Sequence, residues 1–326
     1  MLADTLRPSG PAPRRASRLS IRRLGWIALA VAGVTVLGYA GICAYMALTL
    51  TRPERHPFVH LPEQFGLAYE AVDFHSRVDR IPLRGWLLTA PASAPRQPRP
   101  IIMVHGKGTD REAGPGDGIL GVAAPLARAG YRVLAFDLRG SGESGGERFT
   151  LGALEVRDVG GAIDYVRQRE LAADGVNLVG FSMGGSTALL TAADEPAVRA
   201  VAEDSGYADL GDLLDEQVPK VSGLPAFFTP GMALAVRALI GVDLYAIRPV
   251  DAMPGLAARG VPVLIIHGEA DTYVPPVNAR RLAASYGPSV ETLFIPEAGH
   301  VEGHLQSPSV YDDRLRTFLD RSAADY

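Results

Sequence analysis

The chain has little cysteine and an uneven distribution of charge, and both features exclude classes of protein. Cys43 is the single cysteine among 326 residues, which excludes an intrachain disulfide, a thiolate zinc cluster and a redox pair of cysteines. Six arginines against Asp4 give residues 1–23 a net charge of +5, which leaves −9 for the rest of a chain whose formal total is −4. An acidic body argues against nucleic acid as a partner.

A long uncharged run follows the basic segment. Residues 24–50 comprise 27 consecutive residues without a charge. As a helix they would extend about 40 Å, enough to cross a ~30 Å hydrocarbon core. The sequence therefore predicts a transmembrane helix over residues 24–50, with the basic tail of residues 1–23 in the cytoplasm and residues 51–326 outside it. Small residues at 38 and 40 leave a cleaved signal peptide as the alternative, although the apolar cores of signal peptides are only about 7–15 residues long.

The rest of the chain has the pattern of one α/β domain, residues 66–326, after a short proline-containing linker at 51–65. Residues 69–75 and 83–88 predict an antiparallel hairpin. Further apolar runs predict strands at residues 101–104, 133–136, 176–179, 198–202, 261–266 and 292–295, with helical patterns between them. This alternation predicts a mostly parallel central sheet flanked by helices. Residues 206–258 are rich in apolar residues and are expected to form a helical lid inserted over one edge of the sheet.

One pentapeptide contains a candidate nucleophile. Residues 180–184, Gly-Phe-Ser-Met-Gly, fit the G-x-S-x-G pattern, in which a tight strand-to-helix turn exposes the serine. Residues 142–146 fit the same pattern, so the pattern alone is not specific. Ser182 follows a buried strand and precedes a helical run, whereas Ser144 lies in a glycine-rich loop. This context favours Ser182 as the nucleophile.

A serine nucleophile requires a base, and the base requires an acid that orients it. His300 follows the last predicted strand, and Asp271 follows the strand before it. The chain order Ser182, Asp271, His300 is the order in which this geometry is built on an α/β sheet. Glu269, two residues before Asp271, and Asp204, at an earlier strand end, are the alternatives for the acid.

The remaining chemistry of such a site is stabilisation of the oxyanion. The backbone N–H groups of Met183, which follows the nucleophile, and of Lys107, in the loop after an early strand, are expected to supply it. His304 lies four residues after His300 and could form a metal-binding pair on a helix. A zincin-type motif needs glutamate directly after the first histidine, and Val301 stands there. Neither a metal nor a cofactor is expected.

Taken together, these motifs resemble the α/β-hydrolase superfamily over residues 69–322. The resemblance rests on His105-Gly106, on the segment from Phe136 to Ser144, on the Ser182 turn, and on the loops that carry Asp271 and His300. Serine aminopeptidase-like and esterase- or lipase-like members with a helical cap are the most similar. The segment from Asp137 to Ser144 is similar to the turn that this family has after its fourth strand, which implies a structural role for the second G-x-S-x-G.

The resemblance implies a serine hydrolase, and we expect it to cleave a carboxylic ester of a small-molecule or lipid-like acyl substrate while anchored to a membrane. An aminopeptidase or amidase, and a thioesterase or lipid deacylase, are alternatives with the same architecture. A binding protein without turnover is the alternative from another class, because this fold serves many functions.

Overall fold

The computed structural model of the chain describes residues 21–53, 55–90, 93–94 and 99–324. The chain divides between Ile42 and Cys43 into two compact units. Residues 1–20, which make up most of the predicted basic tail, lie outside the described residues.

The first unit is described as part of a long helix, α1 (Ile21–Leu50), so the predicted transmembrane segment is helical. Large apolar side chains in this unit are exposed, among them Trp26 at 73%, Val34 at 72% and Leu37 at 74%. The most apolar window of the helix has a mean hydropathy of 2.1, and 6% of it is buried. A helix of this length with an apolar surface is a candidate membrane span.

The second unit is built on one eight-stranded sheet, with the strand order β1-β2-β4-β3-β5-β6-β7-β8. Strands β1, β2 and β4 pair antiparallel, and the remaining pairs are parallel. The predicted hairpin and the mostly parallel sheet are confirmed. The strands are β1 (Ala68–His75), β2 (Pro82–Thr89), β3 (Ile101–Val104), β4 (Val133–Phe136), β5 (Val176–Phe181), β6 (Val198–Asp204), β7 (Val263–Gly268) and β8 (Glu291–Ile295).

Helices cover both faces of the sheet because alternate residues of the buried strands point to opposite sides. On β3, Ile101 and Met103 belong to a cluster of buried side chains that includes residues of α2 and α10, whereas Ile102 and Val104 belong to a second cluster that includes residues of α3, α4, α7 and α8. The parallel strands end at one edge of the sheet, so the loops after β5, β7 and β8 lie together there. The helices are α2 (Gly118–Arg128), α3 (Glu155–Gln168), α4 (Met183–Asp194), α5 (Leu210–Ser222), α6 (Phe228–Ile240), α7 (Pro249–Ala258), α8 (Val277–Tyr286), α9 (Gly303–Gln306) and α10 (Pro308–Ala324).

The predicted linker at residues 51–65 is part of this unit, which begins at Cys43 rather than at residue 66. The Phe58 ring lies 5.1 Å from that of Trp86. The buried Glu112 carboxylate accepts hydrogen bonds from the backbone N–H groups of residues 59 and 60. Arg55 donates to the carbonyl oxygens of residues 142, 144 and 146. These contacts with residues far along the chain fix the segment to the domain, which the prolines alone did not indicate.

The predicted lid, residues 206–258, contains α5, α6 and α7. Helix α7 packs against α4 and α8, and its Met253 and Leu256 are both 0% exposed. It therefore belongs to the helical layer on one face of the sheet, and the insert beyond that layer is shorter than predicted, because it ends before Pro249.

Candidate active site

Ser182 lies at the sharp turn between β5 and α4, in a backbone conformation that side chains rarely adopt, with φ 53° and ψ −121°. The flanking glycines leave room for the turn. A Cβ at Gly184 would lie 2.0 Å from the Val104 carbonyl oxygen, and one at Gly180 would lie 2.3 Å from the Gly184 carbonyl oxygen. The glycine positions of the pentapeptide are thus steric requirements of the turn.

His300 lies between Ser182 and Asp271. Its Nε2 atom is 2.8 Å from Ser182 Oγ, and its Nδ1 atom is 2.7 Å from Asp271 Oδ2. Both distances are in the range of hydrogen bonds, and the histidine bridges the serine and the carboxylate through its two ring nitrogens. The structure therefore brings together three residues that are separated by 118 and 29 positions along the chain.

The Asp271 carboxylate is held by its own loop. Asp271 is 3% exposed, and its Oδ1 atom accepts hydrogen bonds from the backbone N–H groups of Tyr273 at 2.9 Å and Val274 at 2.8 Å. These two bonds fix the plane of the carboxylate, so that Oδ2 is directed at His300. The Tyr273 ring lies 5.0 Å from the His300 ring, a contact that the sequence pattern did not indicate.

The alternative acids have other partners. Glu269 pairs with Arg280 at 2.7 Å on the surface. Asp204 is buried at the end of β6 and accepts hydrogen bonds from the hydroxyl groups of Tyr311 at 2.9 Å and Ser205 at 2.8 Å. Burial raises the pKa of the Asp204 carboxyl. Neither carboxylate has a hydrogen bond to His300 among the described residues.

The serine of the second G-x-S-x-G forms hydrogen bonds with backbone groups. Ser144 is 1% exposed, and its Oγ donates to the Asp137 carbonyl at 2.6 Å and accepts from the Arg84 N–H at 2.9 Å. Asp137 in turn pairs with Arg111 at 3.0 Å. Burial raises the pKa of Asp137 to about 6. The Ser144 hydroxyl group therefore connects the turn after β4 to the neighbouring strand β2.

The two residues predicted to stabilise an oxyanion flank Ser182. Met183 is the first residue of α4, and Lys107 belongs to the loop after β3, which lines the cavity at Ser182. The loop comes close to the serine because Gly106 has no side chain: a Cβ there would lie 3.2 Å from Ser182 Cβ. The Lys107 ammonium group lies 5.2 Å from the centre of the Phe149 ring.

His105, at the start of this loop, has a structural role that sequence reasoning missed. Its Nε2 accepts a hydrogen bond from the Leu138 N–H at 2.9 Å, so Nδ1 carries the proton and donates to the Gly106 carbonyl at 2.8 Å. Burial lowers the pKa of His105 to about 4, so the imidazole is neutral near pH 7. It holds the loop after β3 against the turn after β4. The motif His105-Gly106 was the only signal for it in the sequence.

A cavity of about 290 Å³ opens at Ser182. Its walls come from the loop at residues 106–109, the segment 113–122, and residues around His300. Ile119, Val122, Phe181 and Val301 give it apolar sides, and among the described residues Asp204 is the one acidic residue that lines it. No residue of the predicted lid lines this cavity in the described structure.

His304, the second histidine of the possible metal pair, has other neighbours in the structure. His304 lies 3.2 Å from Asp312 Oδ1 and edge-on to Tyr311. Among the described residues there is no group of three or more histidine, cysteine, aspartate or glutamate side chains that could hold a metal ion.

Known proteins are similar to this chain at the level of the fold. A family model described as the alpha/beta hydrolase fold matches residues 99–238. Uncharacterized protein YfhR of Salmonella typhi is 25% identical over 264 residues, which cover 77% of this chain and 81% of that protein. Putative carbamate hydrolase RutD of Variovorax paradoxus is 29% identical over 234 residues, covering 61% of this chain and 85% of that protein. Esterase Pf2001 of Pyrococcus furiosus superposes with a TM-score of 0.67 at 23% identity, covering 83% of this chain and 97% of that one.

Proposed function

We propose that the chain, which has the α/β-hydrolase fold, is a serine hydrolase of that superfamily and cleaves a carboxylic ester through an acyl-enzyme. The observation that carries the proposal is the bridge formed by His300, 2.8 Å from Ser182 Oγ and 2.7 Å from Asp271 Oδ2. A serine with this neighbour can lose its proton to the ring nitrogen as it attacks.

The proposed reaction has two halves. In the first, Ser182 Oγ attacks the acyl carbonyl, its proton passes to His300 Nε2, and the proton then goes to the departing alkoxide, which leaves as an alcohol. In the second, His300 takes a proton from water as the water oxygen attacks the acyl-enzyme, and it then gives that proton to Ser182 Oγ as the bond between Oγ and the acyl group breaks and the acid leaves. Asp271 stabilises the imidazolium in both halves, and the N–H groups of Met183 and Lys107 stabilise the oxyanion.

The lining of the cavity favours an uncharged acyl group over a peptide with a free amino terminus. Ile119, Val122, Phe181 and Val301 are apolar. An aminopeptidase needs an acceptor for the ammonium group of its substrate. Asp204, the acidic residue of the lining, already accepts two hydroxyl groups.

Labelling with a fluorophosphonate tests the chemistry, because this reagent modifies activated serines. The full-length protein in detergent should become labelled and should hydrolyse p-nitrophenyl esters. Ser182→Ala should lose both properties, with turnover reduced about 10⁶-fold, and Ser144→Ala should keep both. An unlabelled wild-type protein that is folded would instead support a binding protein without turnover.

The proposal includes membrane anchorage by α1, with residues 1–23 in the cytoplasm and residues 51–326 outside it. It is supported by the exposed apolar surface of residues 21–42 and by the arginines of the amino-terminal segment. Protease added to right-side-out membrane vesicles should digest the catalytic domain, whereas sealed inside-out vesicles should protect it. Protection of the catalytic domain in right-side-out vesicles, with digestion in inside-out vesicles, would contradict the proposed topology. Release of the protein from the membrane by alkaline carbonate would contradict the anchor.

A further inference from the structure

The outer face of α6 is apolar although it is exposed. From Val221 to Gly241 the sequence contains one charged residue, Arg237. Leu234 and Leu239 on α6 are 67% and 57% exposed, and Val221 at the end of α5 and Phe227 just before α6 are 76% and 60% exposed. We call these four residues the α6 patch. Met232, Ala233 and Val236 on the other side of the helix are buried, so α6 has apolar side chains on both faces, whereas a helix that faces water ordinarily has a polar outer face.

The outer face of α10 provides the comparison within the same domain. This helix also buries one face, through Tyr311, Leu315 and Phe318. Its exposed side carries charged side chains, including the pair formed by Asp313 and Arg316 at 3.2 Å. The apolar surface is therefore a local feature of the α6 region, not a general property of the helices in this domain.

The position of the α6 patch connects it to α1. The last turns of α1, from Cys43 to Leu50, lie within the catalytic unit, where Cys43 is 2% and Ala47 is 0% exposed. Cys43 Sγ lies 4.0 Å from the carbonyl oxygen of Phe228, in the first turn of α6. The last residues of the uncharged run, 43–50, thus lie beside α6 within this unit, and Phe227 of the α6 patch is next in sequence to Phe228.

We propose that the α6 patch lies in the interfacial layer of the bilayer that α1 enters, so that the domain contacts the membrane at a second place. This inference rests on the membrane anchorage proposed above. Apolar side chains of an exposed helix are stabilised when they enter the boundary between headgroups and acyl chains. Arg237, which pairs with Asp243 at 3.2 Å, can keep its charge at the level of the headgroups while its aliphatic part lies along the apolar layer.

The test measures the surroundings of single side chains in the full-length protein. Cys43→Ala removes the native thiol, and Leu234→Cys is then labelled with an environment-sensitive nitrobenzoxadiazole probe. Val310→Cys, on α10 and 54% exposed, is the matched control. Each protein is reconstituted in phosphatidylcholine–phosphatidylglycerol vesicles, and its fluorescence is quenched either by spin-labelled lipid or by aqueous iodide. Leu239→Cys serves as a second site in the α6 patch if Leu234→Cys does not fold.

The proposal requires the probe at position 234 to show blue-shifted emission, quenching by the lipid-borne spin label and protection from iodide, while the probe at 310 is quenched by iodide alone. Equal iodide quenching at both positions would overturn it. Protection at position 234 without quenching by lipid would also overturn it, because another copy of the chain or another protein would then cover the α6 patch.

Flotation after an alkaline carbonate wash separates the two proposals. If the protein stays with the vesicles and the probe at 234 is aqueous, the anchor stands and the α6 contact is overturned. If the protein is released from the vesicles, the anchorage fails and the α6 contact fails with it.

Discussion

Replacement of Asp271 by asparagine isolates the contribution of its negative charge to the candidate site. In the wild-type structure Oδ1 accepts two backbone N–H groups, from Tyr273 and Val274. Only an oxygen can occupy that position, so the amide group of an asparagine would be directed at His300 Nδ1, where Oδ2 now lies at 2.7 Å. An N–H group facing Nδ1 makes that nitrogen the acceptor and moves the ring proton to Nε2. His300 would then be unable to take a proton from Ser182.

The expected loss of turnover is large. An asparagine in this position of a serine triad reduces kcat by about 10⁴-fold, which corresponds to about 5.5 kcal/mol on the activation barrier. The fold should be kept because both backbone hydrogen bonds to Oδ1 remain. The assay is kcat for p-nitrophenyl acetate and butyrate with the full-length protein in detergent, and circular dichroism provides the check on folding.

Glu269→Gln is the control for this experiment. Glu269 lies two residues away, and its carboxylate pairs with Arg280 on the surface, where an ion pair contributes about 1 kcal/mol or less to stability. Its kcat should match that of the wild type. The reasoning is refuted if Asp271→Asn stays within about tenfold of the wild-type kcat, or if Glu269→Gln is the variant that loses activity.

Three further predictions concern the turn, the second serine and a buried acid. Gly184→Ala should unfold the protein or abolish esterase activity, because its Cβ would lie 2.0 Å from the Val104 carbonyl oxygen. Thermal denaturation measures the stability, and the control is Gly255→Ala in α7, where a Cβ would have nothing within 4 Å and the protein should stay stable. Ser144→Ala should lower the free energy of unfolding by about 1–3 kcal/mol because the Asp137 carbonyl and the Arg84 N–H lose their hydrogen bonds to the hydroxyl group. An unchanged free energy of unfolding in urea denaturation would contradict this role. Burial raises the pKa of Glu203 to about 8 from the ordinary 4.5, so the folded state keeps a proton that the unfolded state loses. This carboxyl should therefore reduce stability as pH rises between those values, by up to about 1.4 kcal/mol per pH unit. Glu203→Gln removes this term, so its stability relative to the wild type should increase over that interval, and a pH-independent difference in urea denaturation would count against the shifted pKa.

The secondary-structure elements and the order of the candidate site residues could be predicted from local features of the amino-acid sequence. Strand signals, glycines and polar residues at strand ends are local, since they depend on the period of side chains and on the conformations that each residue tolerates. The predicted strands therefore match the sheet closely, and Ser182, Asp271 and His300 were found in the loops that follow β5, β7 and β8. The uncharged run of residues 24–50, which lies in α1, is also a local feature of the sequence.

Which carboxylate binds His300, and which residues surround Ser182, depend on contacts that form when the chain folds. Asp204, Glu269 and Asp271 all lie at or just after the ends of strands. Asp204 is bound by Tyr311, which is 107 residues away in sequence, and Glu269 is bound by Arg280 on the following helix α8. The predicted lid, residues 206–258, does not line the cavity in the described structure. The cavity walls come instead from the segment 113–122 and the loop of His300. Such contacts depend on packing between remote segments, which residue periodicity does not encode.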